Sequence, residues 1–244
     1  MMSYSIIDNL INTEPHILTD LNIEVDPEEL IERIRTGTKK SDTLLATARD
    51  TLKKINNIWN PGITYRWFPF TQSETEPGKS TVQSSPPVIL DLGHSANFVK
   101  AASHVLVAAY SAGNEIEEAT RKTSGNQTPL ISFLHDLIGL LVLEKTGKII
   151  NTLAEQKASE LGWGVSPFLS PGSVHGWKLE EQVKICSLLP LSKINISIGD
   201  DAVLSPFKSL SCMIGIGTGY TSTRVGTTCQ VCSKNNDCEM KQLY

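Results

Sequence analysis

Long apolar runs are missing from this 244-residue chain. The strongest, Leu137–Leu143, is seven residues long, whereas a bilayer-spanning helix needs about 20. No membrane span is expected. The first residues, Met-Met-Ser-Tyr-Ser-Ile-Ile-Asp, have neither a positive lead nor an unbroken apolar stretch of the signal-peptide type. A soluble, cytoplasmic protein is the expectation. Basic excess is missing too: 22 Lys and Arg stand against 26 Asp and Glu, a formal net charge of -4. That balance argues against nucleic acid as a main partner, because phosphate binding needs a basic face. There is no G-x-S-x-G nucleophile motif and no phosphate-cradling lysine loop. The five histidines, His16, His94, His104, His135 and His175, show no H-x-x-x-H spacing.

What is present is an ordinary globular composition, 40% hydrophobic and 20% charged, long enough to bury a core without disulfide or metal support. The five cysteines are unevenly placed: Cys186 and Cys212 stand alone, while Cys229, Cys232 and Cys238 cluster. In a chain without a secretion signal such a cluster points to metal or redox chemistry before structural disulfides. A Cys-x-x-Cys pair suits zinc or an iron–sulfur cluster, and a closed zinc site needs a fourth ligand. Cys212, Cys186, a histidine or a small molecule could supply it. The competing reading is three reduced thiols in a tail.

Helix and strand signals alternate irregularly. Asp26 is placed to cap, Pro27 fits the first helical position, and Glu29 completes a capping box. Leu30, Ile31 and Ile34 give that helix its apolar side up to Gly37. A second helix is read from Asp42 to Ile58, and a β-favouring strand from Ile63 to Phe70. Thr71 to Pro87 is rich in Ser, Thr, Pro and Gly and reads as a polar loop. A strand at Val88–Leu92, a helix at Ser95–Ala102, a buried strand at His104–Tyr110 and a helix at Gly113–Lys122 follow. The longest helix opens at Thr128-Pro129 and runs to about Leu161, with Gly139 and Gly147 inside it marking close packing or a bend. Further strands are read at Ile194–Ile198 and Ser209–Ile216. The pattern predicts an α+β fold with a largely antiparallel sheet rather than a doubly wound one. Residues 1–25 read as a leader, 26–228 as one domain with N-terminal helices in 26–60 and the polar loop at 71–87, and 229–244 as a cysteine-rich tail.

Two stretches invite a ligand. Gly215-Ile-Gly217-Thr-Gly219 looks like a dinucleotide loop, but only Tyr220 to Tyr244 remain after it, without a helical pattern or the acidic ribose ligand such a unit needs. Those glycines are read as sites of tight packing. The other is Ser170-Pro-Gly-Ser-Val-His-Gly-Trp-Lys-Leu-Glu-Glu-Gln182, a turn feeding helix-forming residues, with apolar Leu179, Val183, Cys186 and Leu189 one turn apart. Amide N–H groups at such a turn suit a carboxylate or phosphate. His175, inside it, is the one histidine singled out for a site role.

Several motifs in order, Asp26-Pro-Glu-Glu-Leu30, Tyr65-Arg-Trp-Phe-Pro69, Val105 to Gly113, Phe168-Leu-Ser-Pro-Gly172, Trp177 to Gln182, Ser205-Pro-Phe-Lys-Ser209 and Ile214 to Gly217, resemble the activation (reactivation) domain of cobalamin-dependent methionine synthase in a free-standing form. The resemblance covers roughly residues 26–240. It implies a C-shaped α+β domain whose central antiparallel sheet is flanked by helices. It also implies S-adenosylmethionine binding and a component role in methionine synthase (methyltransferase) activity, the reductive reactivation of cob(II)alamin with an electron donor. The implied ligand loop comprises Ser170, Pro171, Gly172, Ser173, His175 and Trp177. The family loop reads arginine, three residues, then glycine-tyrosine; Gly172 matches, while Phe168 and Ser173 stand at the arginine and tyrosine positions, with Arg224 a candidate substitute cation. Asp91-Leu-Gly-His94 lacks the spacing of a D-x-H-x-x-G cobalamin segment, so the resemblance places the corrinoid on a separate protein. Two alternatives stay open: an iron–sulfur electron-transfer or assembly factor built on Cys229, Cys232 and Cys238, and a docking protein that has lost S-adenosylmethionine.

Overall fold

A computed structural model describes residues 14–34, 42–124 and 129–226. Cys229, Cys232 and Cys238 lie outside the described residues, and so does the predicted tail.

Helix α1 (Pro27–Arg33) starts at the predicted capping box: the Glu29 carboxylate accepts the Asp26 backbone N–H at 3.2 Å. Helix α2 (Asp42–Ile55) follows. Strand β1 (His16–Leu18) comes before both and pairs antiparallel with β2 (Gly62–Gln72). His16–Leu18, within the stretch expected as a leader, is thus bonded into the sheet. Ile23 is buried, and its carbonyl accepts the Trp59 indole N–H at 2.9 Å.

The predicted polar loop also holds structure. Lys79–Val82 forms β3, which pairs with the far end of β2 and with β4 (Val88–Asp91). Strands β5 (His104–Ser111), β6 (Gly164–Val165) and β9 (Ser209–Gly217) complete a seven-stranded sheet in the order β4-β3-β2-β5-β9-β6, with β1 on β2. Every pairing is antiparallel. Between β6 and β9 a small separate ribbon joins β7 (Ser197–Ile198) to β8 (Leu204–Ser205). The strand predicted over 194–198 is therefore short, and a 3-10 turn, Leu191–Ile194, occupies its beginning.

Both faces of the sheet are covered. Leu106, Ala108 and Tyr110 of β5 and Cys212, Ile214 and Ile216 of β9 join a core with α1, α2 and the long helix α4 (Pro129–Leu161). The alternate residues Val105, Val107, Ala109 and Met213 join a second core with Leu90, Trp177 and Ile185. Double coverage explains why β5 is apolar throughout rather than alternating. Helix α3 (Asn114–Ser124) packs against α4.

Helix α4 is unbroken through its two glycines. A Cβ on Gly139 would lie 2.4 Å from Lys208 Cδ, and one on Gly147 would lie 2.8 Å from the Tyr110 hydroxyl. The glycines thus serve close packing rather than a bend. Among the described residues, no helix is long and apolar enough to cross a membrane.

His135 on α4 is 7% exposed, its Nδ1 3.1 Å from the Thr123 hydroxyl. Burial holds its imidazole below the ordinary value of 6.5. As pH falls below that value the unfolded chain takes up the proton first, so stability is lost through this window. Melting temperatures measured between about pH 7 and pH 5 should therefore fall more steeply in the parent than in His135→Gln; parallel curves would refute the assignment.

Candidate functional site

The loop from Ser170 to Trp177 leaves the sheet where Leu169 bridges to Met213 of β9, with N–H donation both ways at 3.1 and 2.8 Å. Ser170 is 2% exposed, and its hydroxyl donates to the Ser211 carbonyl at 2.8 Å. Trp177 is 1% exposed and belongs to the second core. Both are structural anchors rather than ligand-facing groups. Between them the loop folds back on itself: the Gly172 N–H donates to the Trp177 carbonyl at 2.9 Å, and the Ser173 N–H to the Ser170 carbonyl at 3.1 Å. Two of the amides expected to face an anion at this turn, those of Gly172 and Ser173, are thus spent inside the loop.

The predicted helix after Trp177 is shorter than its spacing implied. It consists of a 3-10 turn, Leu179–Glu181, and the short helix α5 (Gln182–Cys186). Ile185 and Cys186 are buried, whereas Leu179 and Val183 are exposed on the other side.

Pro171, Gly172 and Ser173 form one wall of a cleft of about 350 Å³. Leu179 and Gln182 continue it, and Val203, Leu204, Phe207, Ser209 and Leu210 close it. The far side thus includes the Ser205–Ser209 motif that the sequence had tied to the loop only by resemblance. Behind the cleft runs a buried polar chain. Gln182 Oε1 accepts from the Ser211 hydroxyl at 2.8 Å, and Gln182 Nε2 donates to the Ala202 carbonyl at 2.6 Å. The Ser209 hydroxyl, also buried, has no hydrogen-bond partner among the described residues. At the mouth stands Phe207, 76% exposed, its N–H tied to Glu117 of α3 at 2.6 Å. Gln182, Phe207 and Ser209 had no individual signal in the sequence beyond their places in the Trp177–Gln182 and Ser205–Ser209 motifs.

Charge is absent from this lining among the described residues. Lys208, adjacent in sequence to two lining residues, is 5% exposed and pairs with Asp136 at 2.6 Å. Arg224 donates to Glu155 on α4 at 2.6 Å, and Phe168 packs against the α4 core. Neither residue lines the cleft. His175 is turned elsewhere: it stacks on His94 with ring centroids 5.4 Å apart, and its carbonyl accepts the Ser95 hydroxyl at 2.7 Å. The contact is close because Gly93 and Gly176 meet backbone to backbone, both at positive φ.

The chain has the fold of the MetH reactivation domain. A crystal structure of the MetH reactivation domain bound to AdoHcy superposes with a TM-score of 0.58 over 86% of this chain and 81% of that one, at 11% identity. At that identity the likeness is one of fold. No protein-family model and no curated protein matches the sequence.

The cysteines offered as further metal ligands do not suit that role. Cys186 is buried in the second core and Cys212 in the α4 core, on opposite faces of the sheet. Burial pushes the Cys186 thiol up to about 11 and that of Cys212 higher still, which disfavours the thiolate that a metal binds. Among the described residues, no group of three or more His, Cys, Asp or Glu is placed to hold a metal ion.

Proposed function

We propose that this chain supports cobalamin-dependent methyl transfer, docking on a separate corrinoid protein and presenting an S-adenosyl ligand in the cleft. One observation carries the reading. In a chain with the reactivation-domain fold, the Pro171–Ser173 turn that the resemblance identifies as the ligand loop lines the one cleft described above. In this reading S-adenosylmethionine supplies the methyl group and a separate donor supplies the electron that cob(II)alamin requires. The chain's own part is positional: Pro171 and Leu179 exclude water, and Gln182, clamped by Ser211 and Ala202, holds a fixed amide at the cleft wall.

The fit is unequal along the ligand. Apolar walls and neutral hydroxyl and amide groups suit an adenosine moiety, but the amino-acid carboxylate finds no cation among the described lining residues. That observation favours a second reading, a docking protein that keeps the fold and the corrinoid partner without S-adenosylmethionine affinity.

Calorimetry with S-adenosylmethionine and with S-adenosylhomocysteine, joined to a pull-down against a cobalamin-binding domain, separates the two. Binding in both assays is the expected result. Partner capture without heat from either ligand selects the docking reading, and failure of both assays removes the proposal.

A further inference from the structure

We infer that the cleft mouth is a self-association surface, at which two copies of the chain meet about a two-fold axis and the Phe207 ring of each enters the cleft of the other. The inference goes beyond the functional reading above and does not depend on it.

Exposed apolar side chains scattered singly need no partner, but these are gathered. Phe207, 76% exposed, lines the same cleft as Leu179 and Val203, each 39% exposed. Val183, 45% exposed, is uncovered on the same side as Leu179. Aromatic residues are enriched at the cores of protein interfaces, and a ring left largely in water forgoes most of the stabilisation its burial can bring. The backbone of Phe207 is held by Glu117, which leaves the ring itself to a neighbour.

Two features select a second copy as that neighbour. The first is shape: one patch carries both a knob and a hole. Phe207 stands at the mouth of a cleft of about 350 Å³ whose walls include Pro171, Leu179, Leu204 and Leu210, apolar and wide enough to receive a phenyl ring. A surface holding both halves can meet its own copy reciprocally, each half used once in each direction. The second is charge. In a two-fold contact a patch faces itself, so any charge on it is brought towards its own sign, which is costly. The described lining carries no charge, and the neighbouring Lys208 is buried against Asp136. Four side chains and a rim fall at the low end of specific interfaces, about 1,200 Å² in total, so the dimer should be weak, half-formed at about 10–100 µM.

The test is sedimentation equilibrium of the full chain, with reductant present, over about 1–500 µM. The average mass should climb from 26.7 kDa toward twice that value and stop there. Phe207→Ala removes the knob and Val203→Lys charges the hole; each should weaken association by about tenfold or more. Phe133→Ser on α4 and Ile89→Ser on β4, exposed apolar positions elsewhere, should leave it unchanged. Because all four side chains are exposed, the parent's thermal unfolding curve should be kept in each variant and serves as the folding control. A chain that stays monomeric at the highest concentration would overturn the inference. So would association insensitive to Phe207→Ala and Val203→Lys, or lost in Phe133→Ser or Ile89→Ser. Mass growing past the dimer would overturn it too, since a reciprocal knob-and-hole contact closes on itself.

Discussion

Gly217→Ala unfolds this protein or leaves it barely folded, whereas Gly219→Ala keeps most of its stability. A Cβ on Gly217 would lie 2.1 Å from the Ala101 carbonyl oxygen and 3.2 Å from the Ser103 amide nitrogen. Both are backbone atoms, and neither can yield without breaking the sheet. The Ser103 N–H donates to the Ile216 carbonyl at 2.9 Å, and Gly217 is itself in register with Gly164 of β6. Overpacking in a well-packed interior costs about 1–3 kcal/mol where side chains can shift. Here the obstacle is main chain, so the loss should exceed that range and consume much of the roughly 5–15 kcal/mol of an ordinary domain. At Gly219 the first atom met is a methyl, Ala101 Cβ at 2.9 Å, which small adjustments relieve at about 1 kcal/mol. Denaturant midpoints on the two variants measure the difference. Equal midpoints would mean that the β9 end is looser than its register indicates.

The same glycines show what was legible before any coordinates. Gly215, Gly217 and Gly219 resemble a nucleotide loop until their position near the end of the chain is weighed, and the packing reading then matches the contacts at Ala101 and Ala102. Elements with strong local signals were equally readable: the Asp26–Glu29 capping box, the 33-residue helix α4 and the apolar strand β5. Elements made by distant pairing were not. Lys79–Val82 carries only Ser80 and Val82 as buried positions, and its strand state comes from β2 and β4 on either side. His16–Leu18 is three residues long and owes its order to Ile63–Tyr65. Over 194–198, Asn195 adopts a left-handed conformation at φ 55°, which stops a strand before Ser197.

The site was half legible for a related reason. Pro171, Gly172 and Ser173 form a contiguous turn and could be named as such, and they do line the cleft. Their opposite wall lies more than 30 residues further on at Val203 to Leu210, brought there by the pairing of β9 with β5. What a loop's amides bond to is equally hidden from sequence. The Gly172 N–H turns inward because the chain returns to place the Trp177 carbonyl 2.9 Å away, and that return spends an amide that an anion-type turn would present. His175 shows the limit from the other side: flagged by its position in the loop, it stacks on His94, a residue 81 positions earlier.

Trp177 decides whether that wall exists. It is among the largest fully enclosed side chains and sits in the core that joins the loop to the sheet. Trp177→Ala should cost about 3–5 kcal/mol, the range for emptying a buried aromatic site, and should weaken any ligand that leans on Pro171–Ser173. Trp177→Phe should cost much less, for two reasons that add. The phenyl ring refills most of the volume. The indole Nε1, which has no hydrogen-bond partner among the described residues, is removed, and with it the cost of an unpaired donor, about 1–3 kcal/mol. Urea denaturation of the two variants, read beside calorimetry on each, tests the pair. Similar losses in both would mean that the indole N–H is bonded after all and that orientation rather than bulk secures the loop. A large loss confined to Trp177→Ala, with ligand affinity falling alongside stability, would tie the cleft wall to the packing of a residue outside the cleft's lining.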